Sequence, residues 1–461
     1  MTRGILPALW QTPPGRAGLL LLAPLVLGAL LAWLAYPRDF GPRLWHNPAA
    51  WADFPKAVPP AWTAPFTGRV PHRVLEAREP SREVFDPVFR LGFSLRGPSP
   101  VYLVLALGEV VYWEAPPLVE VVLVRPDGEV LLHREVLPGP LPGETPPFRR
   151  HFQEPWRRFL GEGLEVAEAL ESFFRARYGF GHLPLDLPGA LFARPGPGGI
   201  LLPLEGEYQV VVRLRGAHPE DWVGWVRLVL GGEAYGLMGT DTLGRDLIHG
   251  LLYGLPLALA IGLSVALWST ALGAFLGLWS GYAGGATDTL IQRLADVLNN
   301  LPLLPLLIFL VFVLGANLWI TLLVLVAFSW PGLAILVRSA VLQLRAGLEV
   351  EAARALGAGP FHILRRHVLP HLVPYLLLQG VFAVPGAILA EAGLSFLGLG
   401  DPSLPTWGQM LEAGFRTGAV FLGYWWWVVP PGLLLALTAL AFMLLAMGLE
   451  ALVDPRLRRG G

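Results

Sequence analysis

An α-helical integral membrane protein with an inserted, mainly-β domain is the fold this sequence predicts, and three observations predict it. Apolar runs of roughly 20 residues occur near the N-terminus and through the second half, each long enough at about 1.5 Å per residue to cross hydrocarbon. Charged residues make up only 15% of the chain against 54% hydrophobic. Between Pro37 and Gly232 the pattern changes to short alternating segments punctuated by proline and glycine, which read as strands of a sandwich. The expected divisions are 1–36, a tail and first transmembrane helix; 37–232, a β-rich domain outside the cytoplasm; and 233–461, five further spans.

The first span is Ala17–Ala35, with Trp33 and Tyr36 as interfacial anchors. Its apolar run is too long for a cleaved signal peptide, and no small-x-small site closes it. Strands are expected at Val101–Leu107, Val110–Glu114, Leu118–Val124 and Glu129–Val136, the last two joined by a hairpin at Pro126-Asp127-Gly128. Tyr208, Val210, Val212 and Leu214 alternate with polar residues, and Trp222–Leu230 repeats the theme. Leu164, Ala167, Leu170 and Phe174 at helical spacing predict a helix over Leu164–Tyr178. Further spans are expected over Leu251–Tyr282, from Leu301, over Trp319–Val337, His371–Leu397 and Trp425–Leu449. Gly262, Ser264, Gly273, Gly277 and Gly281 would let helices approach closely. Trp425-Trp426-Trp427 reads as an interfacial belt.

Arginine placement predicts the topology. Arg338, Arg345, Arg354, Arg365 and Arg366 cluster in one loop, Arg456, Arg458 and Arg459 lie in the tail, and Arg3 and Arg16 precede the first span. The positive-inside rule puts that loop and both termini in the cytoplasm, so the number of spans is even. Six spans satisfy this and leave 37–232 outside.

Composition also excludes chemistry. The formal net charge is −1 and there is no cysteine, which removes disulfides, thiolate metal sites and thiol catalysis and argues against nucleic acid. His72, His133, His151 and His218 are scattered without metal-ligand spacing. Gly196–Gly199 lacks the Lys-Ser/Thr of a phosphate loop, so no ATP site is expected.

The charged island between two apolar runs, Glu351–Pro370, is the most informative stretch. Glu351–Leu356 is built of helix formers, Gly357-Ala358-Gly359-Pro360 breaks the helix, and Phe361–Val368 forms a second piece that stops at Leu369-Pro370. Two short helices outside the bilayer make a handle for a cytoplasmic partner.

The order of residues here resembles the "EAA" loop of ABC-importer permeases. GTDTLGRD at Gly239–Asp246, GYAGGATDTLIQRLADVL at Gly281–Leu298, AILAEAGLSFLGLG at Ala387–Gly400, the run Pro402–Gly408 and the tail Asp454–Arg456 are similar to the C-type permeases of the dipeptide/oligopeptide/nickel family. The resemblance covers about half the chain. It implies the type I importer permease fold of six transmembrane helices and a transport subunit that is not itself an enzyme and needs no cofactor. It implies as partners a second homologous permease, two cytoplasmic ATPases and an extracytoplasmic binding protein, in the cytoplasmic (inner) membrane. Peptides are the cargo it favours; nickel and oligosaccharides are carried by relatives. It also implies that Glu351, Ala352, Ala353, Arg354 and Gly357, with Leu369 and Pro370, form the loop that couples ATPase movement to the spans. The departure is the large domain at 37–232, in place of a short loop.

Two further groups have two readings each. Glu391, an acid within an apolar run, either faces a translocation path or is hydrogen-bonded between helices near the outer interface. Asp241, Arg245 and Asp246 either form a salt-bridged cap before a helix or belong to a gate. A competing function class, a membrane-anchored sensor or enzyme with 37–232 as its working part, is weakened by the absence there of GxSxG, HExxH and cysteine.

Overall fold

In the computed structural model, residues 5–83, 86–181, 186–197 and 200–453 are described. The Asp454–Arg456 motif, Arg458, Arg459 and Arg3 lie outside them, as does the end of the Gly196–Gly199 run. The chain divides into two compact units, Met1–Asn47 with Leu247–Gly461, and Pro48–Asp246. These boundaries fall later than the 36/37 and 232/233 divisions read from composition, because GTDTLGRD is hydrogen-bonded within the second unit.

The first apolar run forms α1 (Pro13–Ala35), which begins on a proline at its first position, where the missing N–H costs nothing. The second unit is a sandwich of two antiparallel sheets. One contains β1 (Arg73–Ala77), β4 (Tyr102–Tyr112), β7 (Phe148–Arg150), β8 (Trp156–Leu160) and β12 (Trp222–Gly231), in the order β1-β12-β4, with β7 and β8 sharing the far edge of β4. The other runs β2 (Ser81–Glu83), β3 (Asp86–Leu95), β11 (Gly206–Arg215), β5 (Leu118–Arg125), β6 (Gly128–Val136). A hairpin of β9 (Ala193–Pro195) and β10 (Leu201–Pro203) stands apart.

Period-two patterning explains the core. Tyr208, Val210, Val212 and Leu214 of β11 point inward with Phe89, Leu91 and Phe93 of β3, and meet Leu103, Leu105 and Leu107 of β4. Pro126-Asp127 makes the expected β5–β6 turn. Val101–Leu107 and Val110–Glu114, expected as two strands, are one: Glu109 takes φ +59 within β4, and the facing Gly224 has no Cβ to obstruct it. Helix α2 (Leu164–Tyr178) buries Val166, Leu170 and Phe174 against this core. Leu164, expected on that face, is exposed, and Val166 takes its place.

In the first unit follow α3 (Leu247–Ala283), α4 (Gly285–Asn300), α5 (Leu303–Leu314), α6 (Leu318–Arg345), α7 (Leu348–Ala355), α8 (Pro360–Ile363), α9 (Leu369–Phe396), α10 (Trp407–Arg416) and α11 (Trp425–Val453). Among the described residues five helices are long and apolar enough to cross a membrane, six if α4 and α5, bent by 84°, count as one. The span expected from Leu301 is this pair, since twelve residues of α5 rise only about 18 Å. Glycine sets the α3–α6 contact. A Cβ at Gly273 or Gly277 would lie 2.9 or 2.6 Å from the carbonyl oxygens of Trp330 or Ala334, so these backbones touch as only small residues allow. Helix α1 packs along α11. The tryptophan belt is corrected: Trp425 is exposed, but Trp426 and Trp427 are buried, and Trp427 Nε1 donates to Met410 O at 3.1 Å. The indole N–H needs a partner in an apolar setting, and the neighbouring helix α10 supplies it.

Candidate functional site

The loop after α6 is built from its glycines outward. Gly347 precedes α7, whose first turn holds Glu349 and Glu351, where acids suit the positive end of the helix dipole. Gly357, at φ +81, turns the chain as few other residues can. Pro360 then opens α8 at its first position. Val350, Ala353, Ile363, Leu364 and Val368 face inward and form one cluster with Val337 and Val341 of α6 and Leu372 of α9. Both short helices are therefore fastened by their apolar undersides to two membrane-spanning helices.

The outer side is different. Glu351, Ala352 and Arg354 are exposed, and three large apolar side chains stand among them: Leu348 at 83%, Leu356 at 89% and Phe361 at 71% exposure. Apolar groups projecting this far from a charged loop are suited to burial against another protein. Reading the sequence for charge missed these three; their signal was apolar residues inside the most charged stretch. Glu349 accepts from His367 at 2.8 Å and lies 3.6 Å from His371. That contact holds its carboxyl below the usual range.

One expectation is corrected. The second piece does not stop at Leu369-Pro370. Pro360–Phe396 is continuous, with a π-helical turn at Leu364–Val368 between α8 and α9. Pro370 has no N–H, and the wider turn carries the chain past that gap. Leu369 and Pro370 are thus the start of α9, which joins the loop to a span without a break.

A polar junction supports the loop. Arg338 of α6 donates twice to Asp288 of α4, both at 2.5 Å, and Ser280 of α3 also hydrogen-bonds Asp288. Gln292 Nε2 donates to Ser280 Oγ at 3.0 Å, and Arg345 Nη1 to the carbonyl oxygen of Tyr282 at 2.9 Å. Asp288 and Arg338 are 50 residues apart, so their pairing left no local mark in the sequence.

The other predicted residues lie elsewhere. Glu391 sits 22 residues along α9 from Leu369, roughly 33 Å from the loop at helical rise. It is 4% exposed, and Ser395 Oγ donates to it at 2.7 Å. Asp241, in the second unit, is fully buried and accepts from the backbone N–H groups of Leu243 and Arg245, both at 2.9 Å. Arg245 Nε pairs with its other oxygen at 2.5 Å. Thr240 Oγ1 donates to Pro55 O at 2.7 Å and Ala57 N to Asp241 O at 2.7 Å, which ties this turn to the 53–58 segment. Asp246 forms a bridge with Thr240. Among the described residues no three His, Asp or Glu side chains converge as metal ligands.

Residues 273–459 match the family described as binding-protein-dependent transport system inner membrane component. The chain is 37% identical over 222 residues, 48% of its length and 69% of the relative's, to a dipeptide transport system permease protein DppC of Bacillus subtilis. It is 39% identical over 230 residues, 50% of its length and 75% of the relative's, to a di/tripeptide transport system permease protein DppC of Pseudomonas aeruginosa. A putative peptide permease protein of Brucella suis is 37% identical over 219 residues, 47% of this chain and 72% of that one. The family match begins after the end of the second unit, Pro48–Asp246.

Proposed function

Since this chain belongs to the family of inner-membrane components of binding-protein-dependent transport systems, we propose that it lines, with a second homologous permease, the path by which an ATP-driven importer takes up short peptides. It is an integral inner-membrane permease component of an ABC transporter. Peptide cargo is supported by what the relatives transport. Two cytoplasmic ATPases drive it and an extracytoplasmic binding protein delivers cargo; the loop Glu351–Gly357 receives the ATPases. The arginines of that loop put it and both termini in the cytoplasm, with Pro48–Asp246 outside as the binding protein's docking platform. Alternating access then follows as a two-state motion biased from both sides.

The observation that carries this reading is the loop itself: an underside locked into α6 and α9 and an outer face of unpaired apolar side chains. Mass spectrometry of the complex purified from its native membrane, with ATP-dependent peptide uptake by the same preparation in liposomes, tests it. Stoichiometric recovery of a second permease and ATPases with uptake is expected. Recovery of this chain alone or as a homodimer, without uptake, contradicts it. Replacing Pro48–Asp246 by a short linker is expected to weaken binding-protein capture while ATPase association persists; loss of ATPase association in an inserted protein speaks against the division of labour.

A further inference from the structure

A cavity of about 350 Å³ opens in the second unit, lined by Arg69, Arg73 and Arg96 with no acidic side chain. Two segments supply these side chains, Arg69 and Arg73 four residues apart in one and Arg96 in the other, and all three are exposed. Arg69 follows Gly68, whose φ of +68 ends the short helix Ala64–Thr67. Arg73 opens β1, paired with Leu230 of β12, and Arg96 follows the last residue of β3. None of the three has an ion-pair partner among the described residues, whereas Arg125, Arg150, Arg158 and Arg227 of the same unit are all paired with carboxylates. The Glu205 carboxylate accepts from the backbone N–H of Gly97, next to Arg96, at 3.1 Å and makes no ion pair with that arginine among the described residues.

Three guanidinium cations lining one cleft without a carboxylate give it a positive field that draws an anion. The walls between them are apolar: Phe93, Leu95 and Leu230, with Pro98 and Pro100. A fully hydrated inorganic anion has no use for that surface, whereas a carboxylate carrying an apolar side chain satisfies both parts, and Arg matches a carboxylate in bidentate geometry. The volume is that of a small-ligand site, not of a flat protein interface.

We propose that this cavity is an accessory site for the C-terminal carboxylate and last apolar side chain of a short peptide, held before or beside the membrane path. It rests on the reading of the cargo as peptide.

The test is calorimetric titration of the full chain in detergent with Ala-Leu-Phe, with Ala-Leu-Phe amide and with inorganic phosphate. The wild type is compared with the triple variant R69Q/R73Q/R96Q, and with the triple lysine variant as a charge-retaining control. The expected result is that the free acid binds at least tenfold more tightly than the amide or phosphate. The glutamine variant should lose at least tenfold in affinity at an unchanged melting temperature, and the lysine variant should retain part of it. Equal binding of acid and amide, phosphate binding as tight as peptide, or unchanged affinity in the glutamine variant overturns the proposal. So does a glutamine variant that loses only capture of the binding protein. Uptake by the wild-type transporter, measured in parallel, separates two failures: uptake without cavity binding sinks this site alone, and absence of both sinks the peptide reading with it.

Discussion

Replacing Leu356 by alanine probes the outer face of the loop with little disturbance to the fold. The side chain is 89% exposed, so the isolated subunit should lose almost nothing, within the roughly 0.5 kcal/mol typical of surface substitutions. If Leu356 enters a groove on the ATPase, alanine removes three carbons from that buried contact. At about 0.8 kcal/mol per buried carbon the loss is about 2.4 kcal/mol, a weakening of roughly 50-fold in affinity. The assay is a concentration series of the purified ATPase against the permease pair in nanodiscs, with ATP-driven uptake at limiting ATPase. Uptake should recover when ATPase is raised, because the defect is in docking. Unchanged affinity refutes the assignment. A fall of several degrees in the melting temperature of the permease refutes the reasoning in another way, since it means the side chain was supporting the fold.

Glu351→Lys reverses a charge on the same face and is expected to uncouple ATP hydrolysis from uptake; normal uptake contradicts the role given to this residue. Asp288→Asn strips the Arg338 guanidinium of its charged partner at the α3–α4–α6 junction and should cost about 1–3 kcal/mol of stability. A double-mutant cycle with Arg338→Gln, read by thermal melting, should show strong coupling, and additivity would count against the junction. His72 is buried against Tyr235 with neither ring nitrogen hydrogen-bonded, and burial, outweighing the pull of Asp53, lowers its pKa from 6.5 to about 4. Its folded pKa is the lower one, so its contribution is complete above about pH 6.5 and is lost as pH falls toward 4, by about 3 kcal/mol in all. Unfolding of Pro48–Asp246 followed against pH should show that slope in the wild type and a flatter one in His72→Phe; parallel slopes would rule the histidine out. Glu391→Gln keeps an acceptor for Ser395 Oγ and should leave melting and uptake near normal if the residue only packs within the helices, whereas a large loss of uptake at normal stability points to the path.

Local patterns determined much of this protein. Apolar length marked the spans, alternation in β11 marked its buried face, and Pro126-Asp127-Gly128 marked a hairpin, because each reflects interactions within a few residues. Gly357 and Pro360 announced the broken helix of the loop, since both act through the backbone of their own residue. Only the tertiary structure decided what depended on distant partners. Whether Leu369-Pro370 ends a helix or begins one turned on the π-helical turn before it. Trp426 and Trp427 read as interfacial until α10 came to pack on them. Asp288 found Arg338, and Arg96 joined Arg69 and Arg73 at one cavity, across separations at which sequence spacing carries no geometric information. Proximity of such groups is a property of how helices and sheets pack, and no local pattern encodes it.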